Sequence, residues 1–458
     1  GELKLKSADA GSADGAITWN EKLKMTVGGD FKIGAPAGIG ITISSSGNVD
    51  SIGIITATSF NGTLATAAQT NITSVGTLTG LTVSANSIIN GINVGKGANS
   101  ASGNTALGDN ALDDNVTGTN NTAIGQNVLT VLTTGADNTS VGRNSLDADT
   151  TGGNNTAMGS GALSSNTTAH NNTAVGYIAL NANTTGTRNT AVGGSALDVN
   201  TTASDNTAVG QGSLGSNTTG DSNTAIGRAS LNANTTTSYN TAVGADALAS
   251  NTAAEMTAVG YQALNANTTG IRNTAVGTYA LDAVTTTNDN TALGYNALTA
   301  STTGQNNTAV GRGALQASQS GSNNTAIGRL AMAGANVTAD NNVAIGYQAL
   351  NAHIGGAGNI ALGTNAMVLN TTGGNNVAIG MNTLDANTTG NYNTAIGGQA
   401  LSASTTASEN VAIGYQAMDT ATTANNCVAV GMKALDDLTT GVGNIAIGRY
   451  ALADVTDG

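Results

Sequence analysis

The sequence predicts an all-β chain, an elongated parallel β-solenoid (β-roll) built from 17-residue coils. Three observations predict it. The first is a period. A Gly that follows a short apolar stretch falls at 108 and recurs to 448 in 21 copies, every 17 residues except for one step of 16 (244 to 260) and one of 18 (328 to 346). The second is a pair of fixed apolar positions. With Asn104 as the first place of the repeat, the consensus is N-T-A-V-G-x-x-A-L-x-A-N-T-T-G-x-N. Its fourth place is always Val, Ile, Leu or Met and its ninth always Leu or Met. A disordered low-complexity tract has no such fixed positions. The third is composition within the repeat. Gly and Asn are poor helix formers, and the apolar spacing does not follow 3.6 residues.

Each stretch of the coil is then assigned. The second to fourth places, Thr-Ala-Val, read as a short strand. Its second and fourth side chains share one face, and the Ala between them faces the other way. The fifth-place Gly supplies a turn at positive φ. The eighth to eleventh places read as a second strand that carries the ninth-place Leu inward. Asn-Thr-Thr-Gly closes the coil, with stacked Asn side chains hydrogen-bonding from rung to rung. Both length changes fall after the Leu or Met, in a stretch that tolerates insertion and so reads as a turn. With the fourth and ninth places inward, the third and eighth places point outward, as a stripe of alanines broken only by Ser140 in the third place.

That stripe, and a thin core, lead us to expect assembly. A coil buries about two large side chains at roughly 1.5–3 kcal/mol each. Ordering its backbone costs about 1–2 kcal/mol per residue. Lateral packing of chains through the alanines would supply further burial. At about 4.8 Å per rung the repeats span on the order of 100 Å.

The chain before the repeats differs. It holds Trp19, Phe31, Phe60, Pro36 and six of the seven Lys. ELKLKS (2–7) and AITWNEKLKMTVGGDFKIG (16–34) alternate apolar and polar residues around GG, as antiparallel hairpins do. The expected organisation is a β-hairpin head over 1–36, a Gly/Ser/Thr-rich β connector over 37–91, and a β-solenoid shaft over 92–458. NVGKGANSASG (93–103) reads as a shortened first coil. Gly1 in place of Met, and an end at Gly458 inside a repeat, suggest that both termini are cropped.

Composition limits the function. Charged residues are 9% and aromatics 3%, low for a globular enzyme. A net charge of −13 argues against a nucleic-acid or anionic-membrane partner. No 18-residue apolar run is present, so no membrane insertion is expected, and no signal peptide is visible. A single Cys, Cys427, permits no intrachain disulfide and reads as incidental. His170 and His353 fall in turn stretches without Cys or carboxylate partners and read as solvated, so no metal site is expected. Asp198, Asp282, Asp385 and Asp436 follow the core Leu and read as a solvated edge, not the matched pair that glycoside hydrolysis needs. The calcium motif G-G-x-G-x-D is missing. No catalytic residue and no cofactor is expected. The sixth place, after the Gly, carries the side chains suited to surface contact: Tyr177, Tyr261, Tyr295, Tyr347, Tyr415, Arg143, Arg228, Arg312, Arg329 and Arg449.

The motif N-x-A-[VI]-G-x-x-A-x-x-A resembles the head repeat of YadA-type trimeric autotransporter adhesins, a left-handed parallel β-roll in a homotrimer. Here the Asn-Thr-Thr-Gly turn makes the repeat longer, and neither a coiled-coil stalk nor a C-terminal membrane barrel follows. ATSFNGTLATAAQTNITSVGTLTGLTVSAN (57–86), with ITWNEKLKMTVGGDFKIG and the NTAVGYQAL array, resembles virion fibre proteins of marine tailed phages, especially cyanophages. A C-terminal tip typical of a complete fibre is not recognisable. Together these resemblances imply a homotrimeric, non-enzymatic virion fibre that gives reach and host attachment. Its partners would be itself, other virion proteins at one end, and a host-surface glycan or protein. The rival readings are a bacterial surface adhesin or filament, an ice-binding solenoid suggested by the abundant Thr, and a depolymerase tailspike.

Overall fold

A computed structural model describes residues 3–8, 19–25, 31–34, 40–43, 49–51, 87–89, 92–115 and 117–456. The chain divides into two units, Gly1–Leu81 and Thr82–Gly458. In the first, β1 (Leu3–Ala8), β2 (Trp19–Met25), β3 (Phe31–Gly34), β4 (Gly40–Ile43) and β5 (Val49–Ser51) form an antiparallel sheet in chain order. β1 pairs Leu3 with Met25, and β3 pairs Phe31 with Ile43. The sheet thus continues past position 36, and most of the connector expected over 37–91 lies outside the described residues.

The second unit is a parallel β-solenoid. β6 (Ser87–Ile89) and β7 (Ile92–Gly95) form a hairpin, and twenty-one three-residue strands follow, from β8 (Thr105–Leu107) to β28 (Ile445–Ile447). Each of these pairs in parallel with the next, one repeat on, as in Thr173↔Thr190, Ala174↔Ala191 and Val175↔Val192. The short and long repeats leave this register intact, with Thr241↔Thr257 and Thr325↔Val343. Residues 93–103 are not a first coil. β7 runs antiparallel to β8, pairing Val94 with Leu107, and a 3₁₀ turn follows at Ala98–Ser100. The hairpin therefore covers the first edge strand, whose amides and carbonyls would otherwise be open to pairing.

The orientation of the strand is the reverse of the expectation. The third-place alanines, such as Ala123, Ala174, Ala208 and Ala309, are fully buried, as are eighth-place alanines such as Ala179 and Ala263. The fourth-place Val, Ile, Leu and Met lie outward, half-buried or exposed. Ser140 and Ser145 show why. They occupy the third and eighth places of one coil, and their hydroxyls hydrogen-bond at 2.6 Å inside it. The two places adjoin in the interior, which is too narrow for anything much larger than Ala at both. The alanine stripe is core, and it offers no surface for another chain.

The ninth-place Leu is buried as expected, but its segment is not a strand. Leu180, Leu231 and Leu264 have φ of 52, 50 and 51°. The eighth place is reached by a turn in which its amide donates to the fifth-place carbonyl, as from Ala196 to Gly193 at 3.3 Å. The twelfth-place amide closes a second turn on the ninth, as from Asn166 to Leu163 at 3.1 Å. Between coils the ladder persists: Leu180 donates to Ala196 O and Ala182 to Asp198 O, each at 2.9 Å. The left-handed region is hostile to side chains branched at Cβ. This accounts for a ninth place that admits Leu and Met but never Val or Ile.

The fifth-place Gly has both a conformational and a steric reason. Gly176 has φ 140°, and a Cβ there would stand 2.5 Å from the Gly193 carbonyl oxygen of the next coil. Buried Asn side chains close the coils. First-place Asn172 donates to Gly186 O of its own coil at 2.9 Å, and its Oδ1 accepts the Asn189 amide of the next coil at 2.9 Å. Twelfth-place Asn183 donates to Asn166 Oδ1 at 3.1 Å, in a second column. Thirteenth-place Thr184 adds a hydroxyl bond to Thr201 O at 3.0 Å. The stacked Asn ladder is thus present twice over.

Candidate contact surface on the shaft

The sixth-place residue is the first after the Gly turn. Its carbonyl accepts the seventh-place amide of the next coil, as from Gly313 to Tyr295 O at 2.9 Å and from Leu330 to Arg312 O at 3.0 Å. With the backbone held in this way, the side chains project as a column along the shaft. Tyr177, Tyr261, Tyr295, Tyr347 and Tyr415 are all exposed.

The structure brings some of these residues together and leaves others apart. Tyr261 and Tyr295 are bridged by Tyr279, with edge-on ring contacts at 5.5 and 6.4 Å between centroids. The Arg312 guanidinium lies 5.8 Å from the Tyr295 ring centroid, and that of Arg329 lies 5.5 Å from Tyr347. At the far end Arg449 lies 4.9 Å from Tyr450. Arg228 is instead held by Asp246 at 2.6 Å. Among the described residues Arg143, Tyr177 and Tyr415 join no ring or ion-pair contact of this kind. Tyr279 and Tyr450 were missed in the sequence because they occupy the seventh place, which the left-handed turn at Tyr279 (φ 57°) sets beside the sixth. A second polar column also went unread. At the seventeenth place Arg188 pairs with Asp205 at 2.6 and 2.8 Å, and Arg272 with Asp289 at 2.7 and 2.9 Å. In each pair the hydrogen-bonded Asp raises the pKa of the Arg, and the Arg lowers that of the exposed Asp.

Between the rings lies a shallow hollow lined by Tyr295, Asn296, Arg312, Gly313, Gln316, Arg329 and Leu330. Gly313 contributes no side chain and so leaves the space open.

Two sequence expectations about titratable groups need correction. His170 is exposed as expected, and its Nδ1 accepts the Gly153 amide at 2.8 Å. His353 is fully buried at the twelfth place, its Nε2 has no partner among the described residues, and burial lowers its pKa from 6.5. The acids after the core Leu are not a solvated edge either. Burial raises the pKa of Asp198, Asp282 and Asp385, while Asp436 accepts from Lys433 at 2.9 Å. Asp149, another twelfth-place residue, is buried and its pKa is pushed up to about 7 by desolvation. Cys427 is buried in the first-place column, with Sγ near the carbonyls of Asn425 and Gly441.

Among the described residues no group of three His, Cys, Asp or Glu side chains is placed to hold a metal ion. No helix among them is long and apolar enough to cross a membrane. Comparison of the chain with protein-family models, curated proteins and solved structures finds no match.

Proposed function

We propose that this chain is the shaft-bearing part of a non-enzymatic phage virion fibre, assembled from three copies and serving reach and host-surface attachment. One observation supports assembly above the others. The outer face of the ladder β8–β28 carries an unbroken column of apolar fourth-place side chains, including exposed Met158, Ile226, Leu293, Ile327, Leu362 and Ile413. In the last seven rungs the second place is also apolar, as in Val343, Ile360, Val377, Val411, Val428 and Ile445, with Thr394 the exception. A continuous apolar strip of this length is unusual on a surface that meets only water. At about 4.8 Å per rung and roughly 10 Å of width, it covers on the order of 1,000 Å², above the ~800 Å² per partner of a standard interface. A second copy offers the same residues at the same spacing. The number three, and the virion setting, rest on the resemblance to phage fibres and adhesin heads; a bacterial surface adhesin uses the same shaft.

The test of assembly is to place Lys at Ile345 and Ile379 together. The substitutions project outward, so the solenoid should still fold, and the native mass should fall to that of one chain. An unchanged mass would move the interface elsewhere.

One observation favours a second reading, ice binding. Second-place Thr runs without a break from Thr105 to Thr325 and shares the flat outer face with the fourth place. A thermal-hysteresis assay decides it, because an ice-binding face would produce hysteresis and a fibre interface would not.

A further inference from the structure

The six coils that carry Tyr261, Tyr279, Tyr295, Arg312, Arg329 and Tyr347 differ from the rest of the shaft. They hold every ring–ring contact among the described residues and two of the three ring–guanidinium contacts. Their electrostatics differ too. The chain has 27 acidic residues, yet between positions 290 and 384 the only one is Asp340. Arg312 and Arg329 fall in that window, on adjacent rungs. Neither has a carboxylate partner among the described residues, unlike Arg188, Arg228 and Arg272. On a strongly acidic rod, two free guanidiniums beside a line of exposed phenol rings form a local basic and aromatic ridge, with the hollow over Gly313 at its centre.

We infer that this ridge binds a carboxylate-bearing polysaccharide lying along the shaft. The guanidinium is planar, permanently charged and matched to a carboxylate by two parallel hydrogen bonds. Exposed Tyr rings offer flat apolar faces for the C–H side of a pyranose and hydroxyls for its polar edge. The two cations recur at the rung spacing of about 4.8 Å, so a polymer of carboxylates laid along the shaft meets two adjacent guanidiniums. Gln316 and Asn296, which line the hollow, add amide donors and acceptors suited to sugar hydroxyls. The acidic remainder of the rod repels the same polymer and confines it to the ridge. The inference rests on the attachment reading and deepens it by naming the ligand class, and every residue of the ridge comes from one chain.

The experiment is calorimetric titration of the whole chain with hexagalacturonate and with cellohexaose, a neutral chain of the same length. Hexagalacturonate should bind, more weakly as salt is raised, and cellohexaose should not. The double variant Arg312→Gln/Arg329→Gln should weaken hexagalacturonate binding at least tenfold, and Tyr295→Ala several-fold. Gln stands at the same exposed place in Gln126 and Gln211, so the fold tolerates it. Arg188→Gln, outside the ridge and paired with Asp205, should leave binding unchanged. The inference is overturned if hexagalacturonate does not bind, if cellohexaose binds equally well, or if the double variant binds undiminished. The native mass of the double variant should equal that of the parent, so failure of the ligand assignment is distinguishable from failure of the fibre reading.

Discussion

The amide of Asn206 donates to Oδ1 of Asn189 at 3.0 Å, one coil away, while the Asn189 Nδ2 reaches forward to Ala203 O of its own coil at 2.8 Å. One buried side chain thus closes its own loop and fixes the next. Asn189→Ala removes both bonds and leaves the buried Asn206 amide without its acceptor, while Ala203 O keeps its bond from Asn200 Nδ2 at 3.1 Å. The expected cost is about 1–3 kcal/mol. Hydrogen exchange at the Asn206 amide should accelerate most, with smaller effects a few coils away.

The column is interrupted at Cys427. Its own amide still donates to Asn410 Oδ1 at 3.0 Å, but on the next coil Asn444 Nδ2 is buried without a partner among the described residues. Cys427→Asn restores the consensus and should stabilise the last coils by about 1 kcal/mol. Slower exchange of amides in 428–448 would show it. Faster exchange there would mean that Asn does not fit.

At the ninth place, conformation matters more than volume. Leu231→Ile preserves size, yet Leu231 has φ 50°. The swap should cost about 1–2 kcal/mol for the left-handed backbone, beyond the small repacking loss of an ordinary core. The converse holds at Ile178, a β-branched residue at φ 48°. Ile178→Asn should raise the melting temperature, because Asn occupies this conformation elsewhere in the column.

Asp149 makes stability depend on pH. Its pKa is about 7 in the folded chain against an ordinary 3.8, so the folded state holds the proton more tightly than the unfolded chain does. Its contribution is fully present below pH 3.8 and is lost as pH rises through about 7. Asp149→Asn, the residue found at this place in many other coils, should therefore stabilise the chain at pH 8 and have little effect at pH 4. His353 works in the opposite direction. Its lowered pKa favours folding above 6.5, and that contribution falls away as pH drops below it. Melting curves of Asp149→Asn and His353→Asn across pH 4–8 separate the two.

Much of this architecture was legible in the letters. The period, the parallel register, the glycine turn and the Asn stack all follow from the recurrence of Gly108 to Gly448 and of Asn at the first place. The phase of the strand was not legible, because alternation fixes which residues share a face but not which face is inside. Size suggested that Val175 points inward and Ala174 outward, whereas a coil this narrow takes the Ala. The signal that the Leu segment is not a strand was present, in 21 ninth places without one β-branched residue. The burial of His353 was also readable, since Leu132, Val284 and Leu438 occupy its place in other coils. The contacts of Tyr279 with Tyr261 and Tyr295 were not, because they depend on a left-handed turn that sets the seventh place beside the sixth.

The central claim is that the outward Thr-x-Val face is a contact between copies. The most direct test is the native mass of the unaltered chain in solution, by sedimentation equilibrium at several concentrations. The account predicts the mass of three chains, stable on dilution. A single-chain mass throughout would contradict it and leave the apolar column facing water.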